Sequence, residues 1–213
     1  AISGTPASAF LPEGSTAGKD ILGFPLANTD ADVLTLNGAN YMEIADSDTL
    51  SFGDGTNDFP FSIEAWIKMD NTANFVIVAK GVYNSTGEWL FGTDSSNLLK
   101  FQLHDESVAD TYEKASTATV ASHEGTWTHV CATYNGVGGT SANGGILIYI
   151  NGVSQSLTLA DNGTYVAMEN LGASCYIGRY DTDYAEGLID ELRIYSNVLS
   201  AAEVVENFNY GAE

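Results

Sequence analysis

Residues 61–68, Phe-Ser-Ile-Glu-Ala-Trp-Ile-Lys, alternate apolar and polar positions with a period of two. That period puts Phe61, Ile63, Ala65 and Ile67 on one face of a strand and Ser62, Glu64, Trp66 and Lys68 on the other. The same alternation, or a short apolar run bounded by turn residues, predicts strands over 33–36, 41–45, 75–80, 88–93, 98–104, 126–134, 146–150, 153–159, 174–180 and 188–195. Asn37-Gly38 and Asn151-Gly152 are tight-turn pairs, and they predict hairpins joining 33–36 to 41–45 and 146–150 to 153–159. Ser200-Ala-Ala-Glu203 has capping-box spacing and opens a short helix in which Val204, Val205 and Phe208 pack down.

Many strands, one C-terminal helix and no alternation of strands with helices describe an all-β protein. Loops of uneven length, such as 105–118 and 135–145, favour a two-sheet antiparallel jelly-roll sandwich over a regular barrel. Residues 1–31 are rich in Ala, Gly, Ser, Thr and Pro and read as an N-terminal extension or linker, with the folded domain over 32–213. The last predicted strand carries an anomaly. Simple alternation through Leu188-Ile-Asp-Glu-Leu-Arg-Ile-Tyr195 places Asp190 on the face of Leu188, Leu192 and Ile194. A carboxylate aimed at a core must find a counter-charge or a set of hydrogen-bond donors.

Charge narrows the partners. Against 7 Lys+Arg stand 28 Asp+Glu, a net charge of −21. Such a surface repels phosphate backbones and anionic membranes, so nucleic-acid binding is excluded as a leading reading. No apolar run approaches the ~20 residues of a membrane span, so no membrane insertion is expected. The same charge permits cation binding and keeps a secreted protein soluble. Cys131 and Cys175 both fall on predicted strands; they are read as two buried free thiols, with one disulfide as the alternative. His104, His123 and His129 are scattered and do not have zinc spacing.

Four segments in order carry a family resemblance. Phe61 to Lys68, Trp127-Thr-His-Val-Cys-Ala-Thr-Tyr-Asn-Gly136, Ile146-Leu-Ile-Tyr-Ile-Asn-Gly152, and Ile177-Gly-Arg179 followed by Gly187 to Tyr195 resemble strands of the laminin-G-like, concanavalin A-like jelly-roll family. Leu199-Ser-x-x-Glu203 resembles the short helix that often follows them. Cys131 departs from the pattern, where a small residue such as Ala is usual. The resemblance spans about Val33 to Phe208 and implies fold more than function, because this fold hosts lectins, adhesion modules and glycosidases alike. It also implies a structural calcium ion near the last strand, with Asp190 as a ligand and the Asn37-Gly38 turn as the source of others. The alternative for Asp190 is that it accepts backbone N–H bonds and ties the closing strand to a loop.

Catalysis is not expected. Glycosidases of the resembling family carry a Glu-x-Asp-x-x-Glu run, which is missing here, and Glu43, Glu64, Glu88 and Glu191 stand alone. Only Glu43 and Glu64 are candidates to meet across strands, and outward strand carboxylates are normally solvated. His129 and Cys131 lack an orienting partner in the sequence. Gly-x-Ser-x-Gly and glycine-rich phosphate loops are absent.

Binding is the main expectation. Sugars are held by aromatic faces and a few fixed polar groups. Tyr180-Asp-Thr-Asp-Tyr184 supplies Tyr180, Asp181, Asp183 and Tyr184 in one loop, and Tyr83 and Trp89 bracket another. These six are the candidate ligand residues, and Asp181-x-Asp183 has the spacing of a second calcium pair. The expectation is a non-catalytic carbohydrate-binding or adhesion module of a larger extracellular protein, stabilised by calcium. Its partners would be a glycan or polysaccharide and other domains of the parent. The alternative is a structural or interaction domain of a virion or cell-surface fibre, and a glycosidase with unusual residues is the weakest reading.

Overall fold

The structure, a computed structural model, describes residues 20–23, 33–83, 85–108, 111–161 and 163–211. In chain order its strands are β1 (Asp20–Gly23), β2 (Leu34–Asn37), β3 (Met42–Ile44), β4 (Phe61–Met69), β5 (Val76–Lys80), β6 (Trp89–Thr93), β7 (Leu98–Asp105) and β8 (Thr111–Thr119). There follow β9 (Thr128–Tyr134), β10 (Ile146–Ile150), β11 (Val153–Ser154), β12 (Thr158–Asp161), β13 (Cys175–Ile177), β14 (Arg179–Tyr180), β15 (Asp183–Tyr184), β16 (Glu186–Tyr195) and helix α1 (Ala201–Gly211). Two antiparallel sheets make the jelly-roll sandwich. The first runs β1-β16-β4-β9-β10-β11, with β2 also on β16, and the second runs β12-β8-β7-β6-β5-β13-β3. β14 and β15 form a separate hairpin.

The core lies between the inner faces. Cross-strand register lines up Ile194, Ile63, Ala132 and Ile148 in the first sheet. In the second it lines up Ile177, Val78, Phe91, Phe101 and Ala115. All of these are buried. Phe52 stacks on Phe61 at 4.0 Å, and Trp89 tilts against both. Cys131 and Cys175 are free, buried thiols, as the sequence suggested, one in each sheet.

Several expectations are corrected. Asn37-Gly38 does not close a hairpin: β2 pairs with β16 and β3 with β13, so the turn carries the chain from one sheet to the other. Asn151-Gly152 does close one, with φ of 49° and 74°, the left-handed pair of a type I′ turn. The predicted strand 153–159 splits between the sheets as β11 and β12. Part of the span read as a loop, 105–118, is β8. Within the span read as an extension, Asp20–Gly23 pairs with β16; the rest of 1–31 lies outside the described residues.

The main correction concerns Asp190. It pairs with Trp66 and Arg193 with Glu64, so Glu191 and Leu192 together oppose the single residue Ala65. This is a β-bulge, with Glu191 at φ +48°. The extra residue inverts the alternation. Ile189, Leu192 and Ile194 face the core, while Asp190 shares the outer face of Trp66. Half-buried there, it accepts the N–H of Glu191 at 2.8 Å.

The carboxylate enclosed on this sheet is Glu64, expected to be solvated but fully buried beneath α1. It accepts from Tyr195 Oη at 2.6 Å, Arg193 Nη1 at 3.2 Å and Asn207 Nδ2 at 3.0 Å, and lies 3.5 Å from His129 Nε2. Burial alone would raise its pKa, but hydrogen bonds from His129 and Tyr195 and the charges of His129 and Arg193 outweigh it and hold it low.

Candidate ligand-binding site

The outer face of the second sheet carries a cross-strand row of Glu43, Tyr176, Ala79, Leu90, Gln102 and Lys114. The β14–β15 hairpin folds onto this face. Gly178 makes the turn into it at φ +84°, where an added Cβ would lie 2.8 Å from Leu36 Cδ1. Tyr180 then packs on Val76, Ala79 and Leu90. Its Oη lies 3.1 Å from His104 Nε2. Burial pushes the pKa of His104 down to about 3, so the imidazole is neutral at physiological pH. The exposed Tyr83 ring meets His104 edge-on, with centroids 6.0 Å apart.

On the other side of the hairpin, Arg179 is enclosed by aromatic rings. Its guanidinium carbon lies 4.7 Å from the Tyr41 centroid, 5.1 Å from Tyr176 and 5.8 Å from Tyr184, and Nε donates to the Asp181 carbonyl. Cation–π attraction of this kind fixes the rings in place.

Beside this cage opens a cleft of about 310 Å³, lined by Gly38, Asn71, Ala73, Asn74, Thr182, Asp183, Tyr184 and Glu186. Gly38 N–H donates to the Ala185 carbonyl, which pins the inter-sheet turn against the end of the hairpin. Asn71 Oδ1 accepts the N–H of Ala73, which leaves its Nδ2 to donate outward. Asn74 holds φ +54°, a conformation Asn tolerates better than most residues. Among the described residues, the side chains of Asn74, Thr182, Asp183 and Glu186 make no hydrogen bond within the protein. Burial raises the pKa of Asp183, and the charge of Lys100 from the sheet below partly offsets this.

Four carboxylates elsewhere are engaged by protein donors. Asp58 accepts from Tyr134 Oη, Tyr165 Oη and Met168 N–H. Asp105 takes Val166 N–H, Glu88 takes Leu171 N–H, and Glu169 takes the N–H groups of Glu106 and Ser107. Together they staple the irregular segment 163–173 across the end of the sandwich. Glu43 and Glu64 lie on different sheets and do not pair.

The candidate residues thus separate. Asp183 and Tyr184 line the cleft; Asp181 sits at the hairpin tip at φ +55° and is exposed; Tyr180 is the buried anchor; Tyr83 lies beyond His104. Trp89 is not a ligand residue: it is fully buried and its Nε1 donates to the Leu50 carbonyl at 2.9 Å. Gly38 joins the cleft rather than a metal site. Asn37 pairs with Glu186, four residues from Asp190, a separation of roughly 13 Å along the strand. Its Oδ1 already accepts from Ala39 and Asn40. Asp190, Asn37 and Gly38 therefore do not assemble the six to eight oxygens calcium requires. Among the described residues no group of three or more His, Cys, Asp or Glu side chains is arranged to hold a metal ion. Sequence reading missed Asn71, Asn74 and Glu186 in the cleft and Tyr41, Tyr176 and Arg179 in the cage. The polar run Asp70-Asn-Thr-Ala-Asn74 signals only a turn, and the pairing of β4 with β16 within the first sheet brings it beside Glu186.

Comparison with known proteins agrees with the fold. The family model described as the concanavalin A-like lectin/glucanases superfamily matches residues 36–205. No curated protein matches the chain. Among solved structures it is similar to domain 4 of a GH43 extracellular arabinanase from Geobacillus stearothermophilus, in complex with arabinotriose. That match has TM-score 0.54 and 20% identity over 84% of this chain and 78% of that one. It is also similar to a structure of botulinum neurotoxin type C described as entering cells through two ganglioside molecules, with TM-score 0.58 and 16% identity over 87% of this chain and 44% of that one. The binding domain of botulinum neurotoxin serotype C1 matches with TM-score 0.57 and 17% identity over 91% of this chain and 46% of that one. The chain spans less than half of these toxin structures.

Proposed function

The chain belongs to the concanavalin A-like lectin/glucanase superfamily, and from that premise we propose that it is a non-catalytic carbohydrate-binding module of an extracellular protein. The observation that carries this reading is the cleft at the β14–β15 hairpin. It combines an aromatic wall, Tyr184, with amide, hydroxyl and carboxylate groups that make no hydrogen bond among the described residues. Sugar recognition needs this pairing of a ring face with a few convergent polar groups. Supporting the reading, similar folds occur in complex with arabinotriose and in a toxin whose cell entry depends on gangliosides. The chain is read as non-catalytic because Glu64 is sealed beneath α1 and bonded to Tyr195, Arg193 and Asn207, and Asp58 is held by Tyr134, Tyr165 and Met168.

The test is pull-down on insoluble polysaccharides together with titration of soluble oligosaccharides. Tyr184→Ala should weaken any binding at least tenfold, and bound polysaccharide should release no reducing ends. Unchanged affinity in Tyr184→Ala would remove the cleft from the reading.

A further inference from the structure

We propose that the cleft selects a neutral, hydroxyl-rich glycan and discriminates against sialylated, sulfated or uronate-bearing counterparts. The inference rests on the glycan-binding reading above and deepens it. The cleft's ionisable lining is entirely acidic: Asp183 and Glu186, with no Lys, Arg or His. An ionised carboxylate only accepts hydrogen bonds, so the ligand must bring donors, and sugar hydroxyls do. The other lining groups, Asn71 Nδ2, the Asn74 amide and the Thr182 hydroxyl, supply neutral donors and acceptors. An anionic substituent would meet two like charges within the cleft, inside the wider field of a chain carrying −21.

The nearby cations do not reverse this. Arg179 is enclosed by Tyr41, Tyr176 and Tyr184 and donates to Asp181. Lys100 lies outside the lining, in the fields of Asp94 and Asp183. Arg179 is held against three rings and a backbone carbonyl, and Lys100 lies in the fields of two carboxylates, so neither is presented to the cleft as a lining group.

The experiment is a glycan array that presents the same cores in neutral, sialylated and sulfated form, followed by titration of each matched pair. The expected result is neutral cores bound at least tenfold more tightly than their anionic partners. Two changes should narrow that gap: the double substitution Asp183→Asn with Glu186→Gln, and 1 M NaCl, which screens exposed charges without altering the chain. Equal or tighter binding of the anionic partner overturns the neutral selection and leaves glycan binding standing. A gap that survives both the double substitution and high salt also overturns it, because the discrimination then arises elsewhere. No binding to any core overturns the glycan reading itself.

Discussion

Lys80 and Glu88 meet inside the protein with no exposed side-chain surface on either. Lys80 Nζ lies 2.6 Å from Asp46 and 3.4 Å from Glu88 Oε1, and donates to the Ala173 carbonyl. Burial lifts the pKa of Glu88 to about 7, although the charge of Lys80 and the N–H of Leu171 pull it down. The folded state therefore binds a proton more tightly than the unfolded chain. This contribution is fully present below about pH 4.5 and is lost as pH rises through about 7. Glu88→Gln keeps the acceptor for Leu171 and removes the titration. Its stability relative to the parent should grow by about 1 kcal/mol per pH unit between pH 5 and 6.5. Urea unfolding of both proteins at matched pH measures this, and a constant difference would exclude the mechanism. Taking the difference also cancels His104, whose neutral buried ring acts oppositely, its stability contribution being lost as pH falls from about 6.5 towards 3. None of this was legible at residue level. Trp89 read as a strand residue flanking a loop and a candidate ligand contact, yet its register opposite Lys80 and Leu103 sets it in the core.

At the level of elements, legibility followed apolar content. β4 shows its inner face through four large or medium apolar side chains, and its observed span, Phe61–Met69, nearly matches the predicted one. β8, Thr-Tyr-Glu-Lys-Ala-Ser-Thr-Ala-Thr, has no apolar alternation and was invisible to periodicity; Ala115 is its described contribution to the core. The bulge in β16 was invisible for another reason: one added residue looks like continued alternation until the partner strand is known. Helix α1 was legible from its cap, where Ser200 and Glu203 exchange hydrogen bonds. What the cap did not reveal is the helix's purpose. Val204 closes a second small core with Cys131, Tyr149, Tyr195 and Leu199. Phe208 stacks on Trp66 at 5.7 Å and also touches His129. Phe208→Ala should destabilise the protein by about 2 kcal/mol, a partly buried version of an aromatic-to-alanine change. It should also red-shift emission from Trp66 by admitting water. Unfolding at the parental denaturant midpoint would show that α1 rests on the sheet without supporting it.

At the scale of the whole molecule, charge and calcium must be separated. Seven cationic side chains stand against 28 carboxylates, and Lys80 and Arg193 are drawn into buried or partly buried pairs. The remaining surface repels itself, and self-repulsion favours the expanded chain. Any added salt should therefore raise the melting temperature, most steeply below ~0.1 M, where the screening length exceeds ~10 Å. A calcium-induced rise would by itself say nothing about a calcium site. The informative comparison is calcium against magnesium chloride at equal ionic strength. Calcium accepts six to eight irregularly placed oxygens, whereas magnesium demands an octahedron and keeps its waters, so a protein-built site separates them while screening does not. Because Asp190 is turned outward by the bulge and Asn37 is held at Glu186, the ligand set first expected at the closing strand is not assembled. The two chlorides should then give the same melting temperature within experimental error, both above that in low-salt buffer. An increment specific to calcium and reversed by chelator would point to a bound ion whose ligands lie somewhere other than these three residues.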